Sequence, residues 1–467
     1  MATEGAPHVG PFVWAPRAWL PGGWQADVLL AVGADGCWTE VTVGVDADHA
    51  PAGTELLKGS LLPGLVDAHS HAFQRAFAGA AERRESASDD FWSWRDRMYG
   101  VALRIGPAEL RAVAAHLYVE LLRGGYTQVC EFHYLQRDRD GSDYADPLAM
   151  SWALADAAAD AGIGLTILPV LYERAGFAAP ALRDEQRRFR ASPAEVVEAA
   201  RRIGAGARLH VNAGLAIHSL RGADAASIDA LRRLADGFAG PIHIHVAEQT
   251  AEVDECLRAT GCRPIEWLAQ GGRLDARWQL VHATHATRAE IDAVAASGAG
   301  IVLCPSTEAN LGDGLADLPR WLAADVAMTV GSDSQATRDW REELRLLEYG
   351  QRLLLRRRNI AAAPEQGLAS TAERLWSRLL GGSAAASGLP SWGLVKGARA
   401  DALVIDADDD GLLGVAPERI LDALVFSSPQ ALWRDVMVAG RWVLRGGRHA
   451  ASAAIAKRCR EAMAAIG

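Results

Sequence analysis

A chain of 467 residues, half of them apolar and 23% charged, holds enough hydrophobic content for one large core with a smaller second unit, and too much for a disordered protein. Its net charge of −10 argues against nucleic acid as a partner, because phosphate binding needs a basic face, and no apolar run approaches the roughly 20 residues of a membrane span. Six scattered cysteines without a C-x-x-C pair predict reduced thiols and a cytoplasmic protein.

In chain order, the first 24 residues are interrupted by Pro7, Pro11, Pro16 and Pro21 and lack the basic start and apolar core of a signal peptide. Residues 1–60 carry short alternating segments such as 41–45, and the pattern returns at 402–405 and 436–443, between glycine-rich turns. These flanks, 1–60 and 389–467, predict a small β domain built from both termini and followed by a terminal helix. Between them, over 61–388, apolar runs at 61–66, 127–132, 164–171, 208–216, 241–246, 278–282, 300–304 and 327–331 alternate with helix-like stretches rich in alanine, arginine and glutamate. That alternation predicts parallel βα units, and eight of them predict a closed (β/α)8 barrel; a doubly wound open sheet is the runner-up. Polar residues gather where the runs end: His69, His71, His133, Tyr134, His218, His245, His282 and Asp333. In a barrel those ends carry the active site.

His69 and His71 follow an apolar run and stand one residue apart. Side chains alternate across a strand, so two imidazoles at i and i+2 share a face and can close on one metal ion; the plainer reading is two polar histidines in a loop. His245 ends the run 241–246, with Glu248 placed to carry protons in the same space, although Glu248 also suits a surface helix start. His243 shares the face of His245 but lies one pleat deeper, which predicts a hydrogen-bonded neighbour rather than a ligand. His282 ends another run and Asp333 follows Gly331-Ser332, where an aspartate alone suggests a turn or a cap. Taken together, His69, His71, His245 and Asp333 offer three imidazoles and a carboxylate, a set suited to one divalent ion, Zn²⁺ first and Fe²⁺ second, with water in a fifth position.

These segments resemble the amidohydrolase superfamily, in its mononuclear deaminase branch, over nearly the whole length. The matching features are P-G-L-V-D-A-H-S-H at 63–71, H-V-A-E at 245–248, His282, G-S-D at 331–333 and G-A-R-A-D-A at 397–402. Binuclear relatives bridge two metals with a carboxylated lysine, but no lysine lies between Lys58 and Lys396, so a single metal is expected. The resemblance implies the barrel of that superfamily with a small β-sandwich domain. Segments 71–79, 131–135, 247–253 and 304–312 narrow the resemblance to the formimidoylglutamate deiminases. The chain departs from that family after Tyr134-Leu135, where Gln136-Arg137 replaces a histidine-rich continuation.

The expected activity is hydrolysis of N-formimidoyl-L-glutamate to N-formyl-L-glutamate and ammonia, a step of histidine degradation. Asp333 is expected to take a proton from the attacking water, Glu248 to deliver one to the departing nitrogen, and His282 to orient and stabilise the oxygen. A dicarboxylate needs paired cations with planar forks, and Arg95 and Arg221 stand in strand-end segments, Arg95 within an aromatic loop (91–95) that can serve as a lid over 83–100. The resemblance adds Gln74, Tyr134 and His218 as substrate contacts. Rival readings are an aromatic-base deaminase, an N-acyl or ring hydrolase of the same superfamily, and a non-catalytic barrel scaffold. Residues 340–355 offer apolar positions for a homodimer, a pattern a buried barrel helix also explains.

Overall fold

Near-continuous apolar runs fold here as strands buried on both faces: every residue of Tyr126–His133 and of Gly164–Leu171 is buried. The computed structural model describes residues 10–82, 91–428 and 430–467, apart from the side chains of Phe91 and Trp92. Eight parallel strands form the centre: β1 (Leu65–Ser70), β2 (Tyr126–His133), β3 (Gly164–Leu171), β4 in two pieces (Val211–Ala213 and Leu215–Ile217), β5 (Ile242–Val246), β6 (Trp278–His282), β7 (Gly300–Leu303) and β8 (Met328–Val330). β8 returns to β1 through Val330 and Asp67, and β4 joins β3 through Ala216 and Val170. The sheet therefore closes on itself as a (β/α)8 barrel, and the open-sheet alternative falls away. β4 breaks at Gly214, where a Cβ would lie 2.5 Å from Leu168 Cδ2 and 2.8 Å from Pro241 Cγ, so only glycine lets the neighbouring strands come this close.

Helices cover the outside, and their starts follow from local chemistry. Ser192 and Thr287 each cap a helix by accepting from the backbone N–H three residues on, and Glu195 and Glu290 close the box. Residues 340–355 form one such helix, with Trp340, Leu344 and Leu347 buried and Leu353 and Leu354 exposed at its end. The segment 91–95, expected as a loop, instead opens the helix Phe91–Ala102; residues 83–90 of the anticipated lid lie outside the described residues.

A second sheet of nine strands draws on both ends of the chain. Leu61–Pro63, expected to begin the first barrel strand, belongs to this sheet: it runs parallel to Phe12–Leu20 and antiparallel to Ala402–Ile405. The apolar run is continuous through both sheets, and Gly64 marks the switch, since a Cβ there would lie 2.1 Å from Thr127 Oγ1. Backbone bonds between Trp38 and residues 397–398 bring the far edge back toward the Ala402 strand. The sheet thereby wraps its own core of Val13, Leu30, Trp38, Met437 and Trp442.

Candidate active site

The period of two places Asp67, His69 and His71 on one side of β1 and its extension. Asp67 does not reach the cavity; its carboxylate accepts from the Ser332 backbone N–H at 2.8 Å and the Ser332 hydroxyl at 2.6 Å, locking β1 to the loop after β8. In that loop each residue of Gly331-Ser332-Asp333 has its own task. Gly331 permits the approach, since a Cβ would lie 2.6 Å from His69 Cβ; Ser332 anchors; Asp333 faces the site. The Asp333 N–H donates to His69 O at 2.8 Å, fixing the relative height of the two strands' ends.

His69 Nε2 and His245 Nε2 stand 2.9 Å apart, and Asp333 Oδ1 is 3.5 Å from His69 Nε2 and 3.4 Å from His71 Nε2. The second ring nitrogens report the tautomers. His71 Nδ1 donates to Phe132 O at 3.0 Å and His245 Nδ1 to His218 O at 2.9 Å; a carbonyl can only accept, so both Nε2 lone pairs point inward. Burial, reinforced by the neighbouring imidazoles, holds His69 and His245 well below the usual histidine range, and burial takes His71 to about 3. Neutral imidazoles converging with a carboxylate are what a divalent borderline cation requires, so these donors fit one. His282, Cys304 and Asp333 make a second cluster that shares Asp333 with the first, and burial raises the Cys304 thiol well above its ordinary range. His243 bonds the Ala386 carbonyl at 2.9 Å, away from the cluster.

Beside the cluster stand two further groups from strand ends. His282 Nε2 lies 3.7 Å from Glu248 Oε1 and 3.8 Å from Asp333 Oδ2, and its Nδ1 lies 3.4 Å from Glu308 Oε1. Burial works against a charge on His282, but Glu248, Glu308 and Asp333 outweigh it and raise the ring to about 10. Burial, with Glu248 and Glu308 adding to it against the opposing pull of His282, raises Asp333 to about 7. Ala247, His282, Ala283 and Asp333 all have positive φ, each at a cost of about 1–2 kcal/mol that the surrounding contacts offset.

A cavity opens above these groups, lined by His71, His245, Glu248, His282 and Asp333 at one end. His69 is fully buried behind it. Gln74, Arg95, Tyr134, His218 and Arg221 all line the same cavity. Gln74 donates to the Tyr134 hydroxyl at 3.1 Å, His218 stacks on Tyr172 at 3.9 Å, Arg95 sits over the Tyr99 ring, and Arg221 lies 3.7 Å from Glu248 Oε2. Sequence reasoning missed Asp67, Glu308, Tyr172 and Arg174. The period of two pointed at Asp67 through His69; Glu308 lies in the segment 304–312 and bonds the nearby Cys304 N–H, but its pairing with His282 is assembled only by folding.

A family model described as the amidohydrolase family matches residues 60–443. The chain belongs to the amidohydrolase family. Among its relatives, formimidoylglutamate deiminase of Pseudomonas aeruginosa is 44% identical over 440 residues, covering 94% of this chain and 95% of that protein. The crystal structure of an amidohydrolase from Brucella melitensis superposes with a TM-score of 0.91 at 40% identity, covering 97% of this chain and 99% of that one. An adenosine deaminase from Xanthomonas campestris, crystallised with bound zinc, shares the fold at a TM-score of 0.78 and 22% identity, covering 97% and 98% of the two chains. Amidohydrolases are metal-dependent, and the cluster of His69, His71 and His245 beside Asp333 is this amidohydrolase's potential metal site.

Proposed function

We propose that this amidohydrolase hydrolyses N-formimidoyl-L-glutamate to N-formyl-L-glutamate and ammonia. The observation that carries the reading is one cavity holding a metal-type cluster, the carboxylate of Glu248 beside it, and the guanidiniums of Arg95 and Arg221, in a chain 44% identical to a formimidoylglutamate deiminase. His69, His71, His245 and Asp333 would hold one divalent ion, Zn²⁺ in first place and Fe²⁺ in second. When bound, it lowers the pKa of water toward roughly 7 and so supplies a nucleophile at neutral pH.

The chain's own groups do the rest. Asp333 accepts the proton that water gives up as its oxygen adds to the formimidoyl carbon. His282, flanked by Glu248, Glu308 and Asp333, donates to the developing oxyanion. Glu248, 3.7 Å from His282 Nε2, takes the proton of the newly added hydroxyl and passes it to the terminal nitrogen of the amidinium; the carbon–nitrogen bond breaks, ammonia leaves, the formyl carbonyl forms and Asp333 returns its proton to solvent. Arg95 and Arg221 hold the glutamate carboxylates, while Gln74, Tyr134 and His218 orient the formimidoyl end.

Metal-replete protein incubated with N-formimidoyl-L-glutamate, guanine or S-adenosylhomocysteine tests this through ammonia release. Turnover of the first alone supports it; turnover of a base or nucleoside alone replaces it with the aromatic-base reading. The proposal extends to a cytoplasmic homodimer serving histidine degradation. Six free cysteines and the exposed Leu353 and Leu354 support that extension, and sedimentation of the purified protein tests the dimer. No helix among the described residues is long and apolar enough to cross a membrane.

A further inference from the structure

Three guanidiniums line the cavity, and the substrate reading above uses two. The third, Arg174, follows β3 by three residues. Its Nη2 donates to Leu220 O at 2.6 Å, its guanidinium lies 5.4 Å from the centre of the Phe177 ring, and its Nε is buried without a hydrogen-bond partner. The acidic groups nearest it are already engaged. Glu173 accepts from the Ser227 hydroxyl at 2.9 Å, and Asp224 caps the helix Ala225–Leu234 through the Ser227 N–H at 2.8 Å. Among the described residues no carboxylate forms an ion pair with Arg174.

A half-buried cation with no counter-ion in contact is unfavourable, and burial already pulls its pKa down. Fixing the Leu220 carbonyl accounts for one donor of a group that has five. The Nε–H is enclosed and unmet, and Arg174 reaches the cavity through the rest of its guanidinium, whose remaining N–H groups can take a carboxylate oxygen. Arg221, meanwhile, shares its charge with Glu248, 3.7 Å away, and with Glu252. We propose that Arg174 binds one carboxylate of the substrate and so makes the site selective for dicarboxylates over monocarboxylates. The inference rests on the reading that the substrate is a glutamate derivative.

The test compares glutarate with butyrate as ligands of the metal-replete enzyme by calorimetry, in wild type and in Arg174→Gln. Glutamine removes the charge and shortens the side chain, so an equal loss toward both ligands reports lost loop support and a loss confined to glutarate reports carboxylate binding. Wild type is expected to bind glutarate more tightly than butyrate; the variant is expected to lose about 10–100-fold toward glutarate and less than threefold toward butyrate. With N-formimidoyl-L-glutamate as substrate, KM rises by a similar factor while kcat stays within threefold. An unchanged glutarate affinity, an equal loss toward both ligands, or a wild type without the preference each overturns the proposal. If wild type releases no ammonia from N-formimidoyl-L-glutamate, the deiminase reading fails, and the glutarate comparison still decides whether Arg174 takes a carboxylate. Should the glutamine variant fail to fold, Arg174→Lys is read the same way: a reduced glutarate-to-butyrate preference supports the proposal and an unchanged one overturns it.

Discussion

His69 and His245 bring their Nε2 atoms to 2.9 Å; His245 Nδ1 is committed to the His218 carbonyl, so its Nε2 can only accept, while His69 Nδ1 is buried without a partner. Without metal, His69 can donate its Nε2–H to His245; a cation takes the place of that proton between the two nitrogens. Metal that binds the folded chain and not the unfolded one adds to stability. Dialysis against a chelator is expected to lower Tm, and restoring Zn²⁺ at about 100 times its dissociation constant is expected to return about 2.7 kcal/mol. His245→Ala should cut the metal content measured by elemental analysis well below that of wild type; full retention would contradict the ligand assignment.

Glu248→Gln and Asp333→Asn keep the shapes of their side chains and remove the proton carriers. Each is expected to lower kcat by about 10²–10⁴-fold with the far-ultraviolet circular dichroism unchanged. Steady-state ammonia release checks this, and a variant keeping a third of wild-type kcat would remove that residue from the proton path.

Arg95→Ala and Arg221→Ala bear on the substrate. A charge-assisted hydrogen bond contributes about 1.5–3 kcal/mol, so each variant is expected to lose about 10–100-fold in kcat/KM for N-formimidoyl-L-glutamate. Arg221 carries a second consequence, because its removal takes a cation away from beside Glu248 and Glu252. Its variant is therefore expected to lose kcat as well, a split that Arg95→Ala should not show.

Gly331→Ala tests the loop geometry. An added Cβ meets His69 Cβ at 2.6 Å and the His69 carbonyl oxygen at 2.8 Å, and the backbone cannot yield without moving Asp333. The expected result is a loss of about 1–3 kcal/mol of stability together with weaker metal retention, read by urea denaturation and elemental analysis.

His133 gives a pH-dependent prediction. Burial, aided by Arg188, lowers it to about 3. The unfolded chain binds a proton below about pH 6.5 that the folded state refuses, so the contribution to stability is full above 6.5 and falls as pH drops toward 3. Each pH unit in that window costs about 1.4 kcal/mol. His133→Phe should flatten the decline of the urea midpoint between pH 6.5 and 5; an unaltered slope would place the titration elsewhere.

Much of this architecture is legible in the residues. Strands buried on both faces leave long apolar runs, which is why β2, β3, β5 and β6 stand out, and the histidines at i and i+2 mark a candidate site once His245, His282 and Asp333 end other runs. The misread stretches have a common cause. Leu61–Pro63 and β1 form one apolar run divided between two sheets, and only the contact of Gly64 with Thr127 shows the division. Helix Phe91–Ala102 was hidden by its aromatic content, which suits a loop as readily as a helix. Glu308 and Arg174 act through partners more than 20 residues away, His282 and Leu220 respectively, and no local pattern encodes such pairings.

The left-handed residues at the barrel rim also bear on how this enzyme can be engineered. Ala247 and Ala283 adopt backbone angles that suit glycine, directly beside the groups that do the chemistry. Exchanging either for glycine relieves steric crowding but frees the chain to leave that geometry, so thermal robustness and turnover are set against each other at these two positions. Hardening the protein for use is better sought in the outer helices, where a gain in rigidity does not touch the reaction.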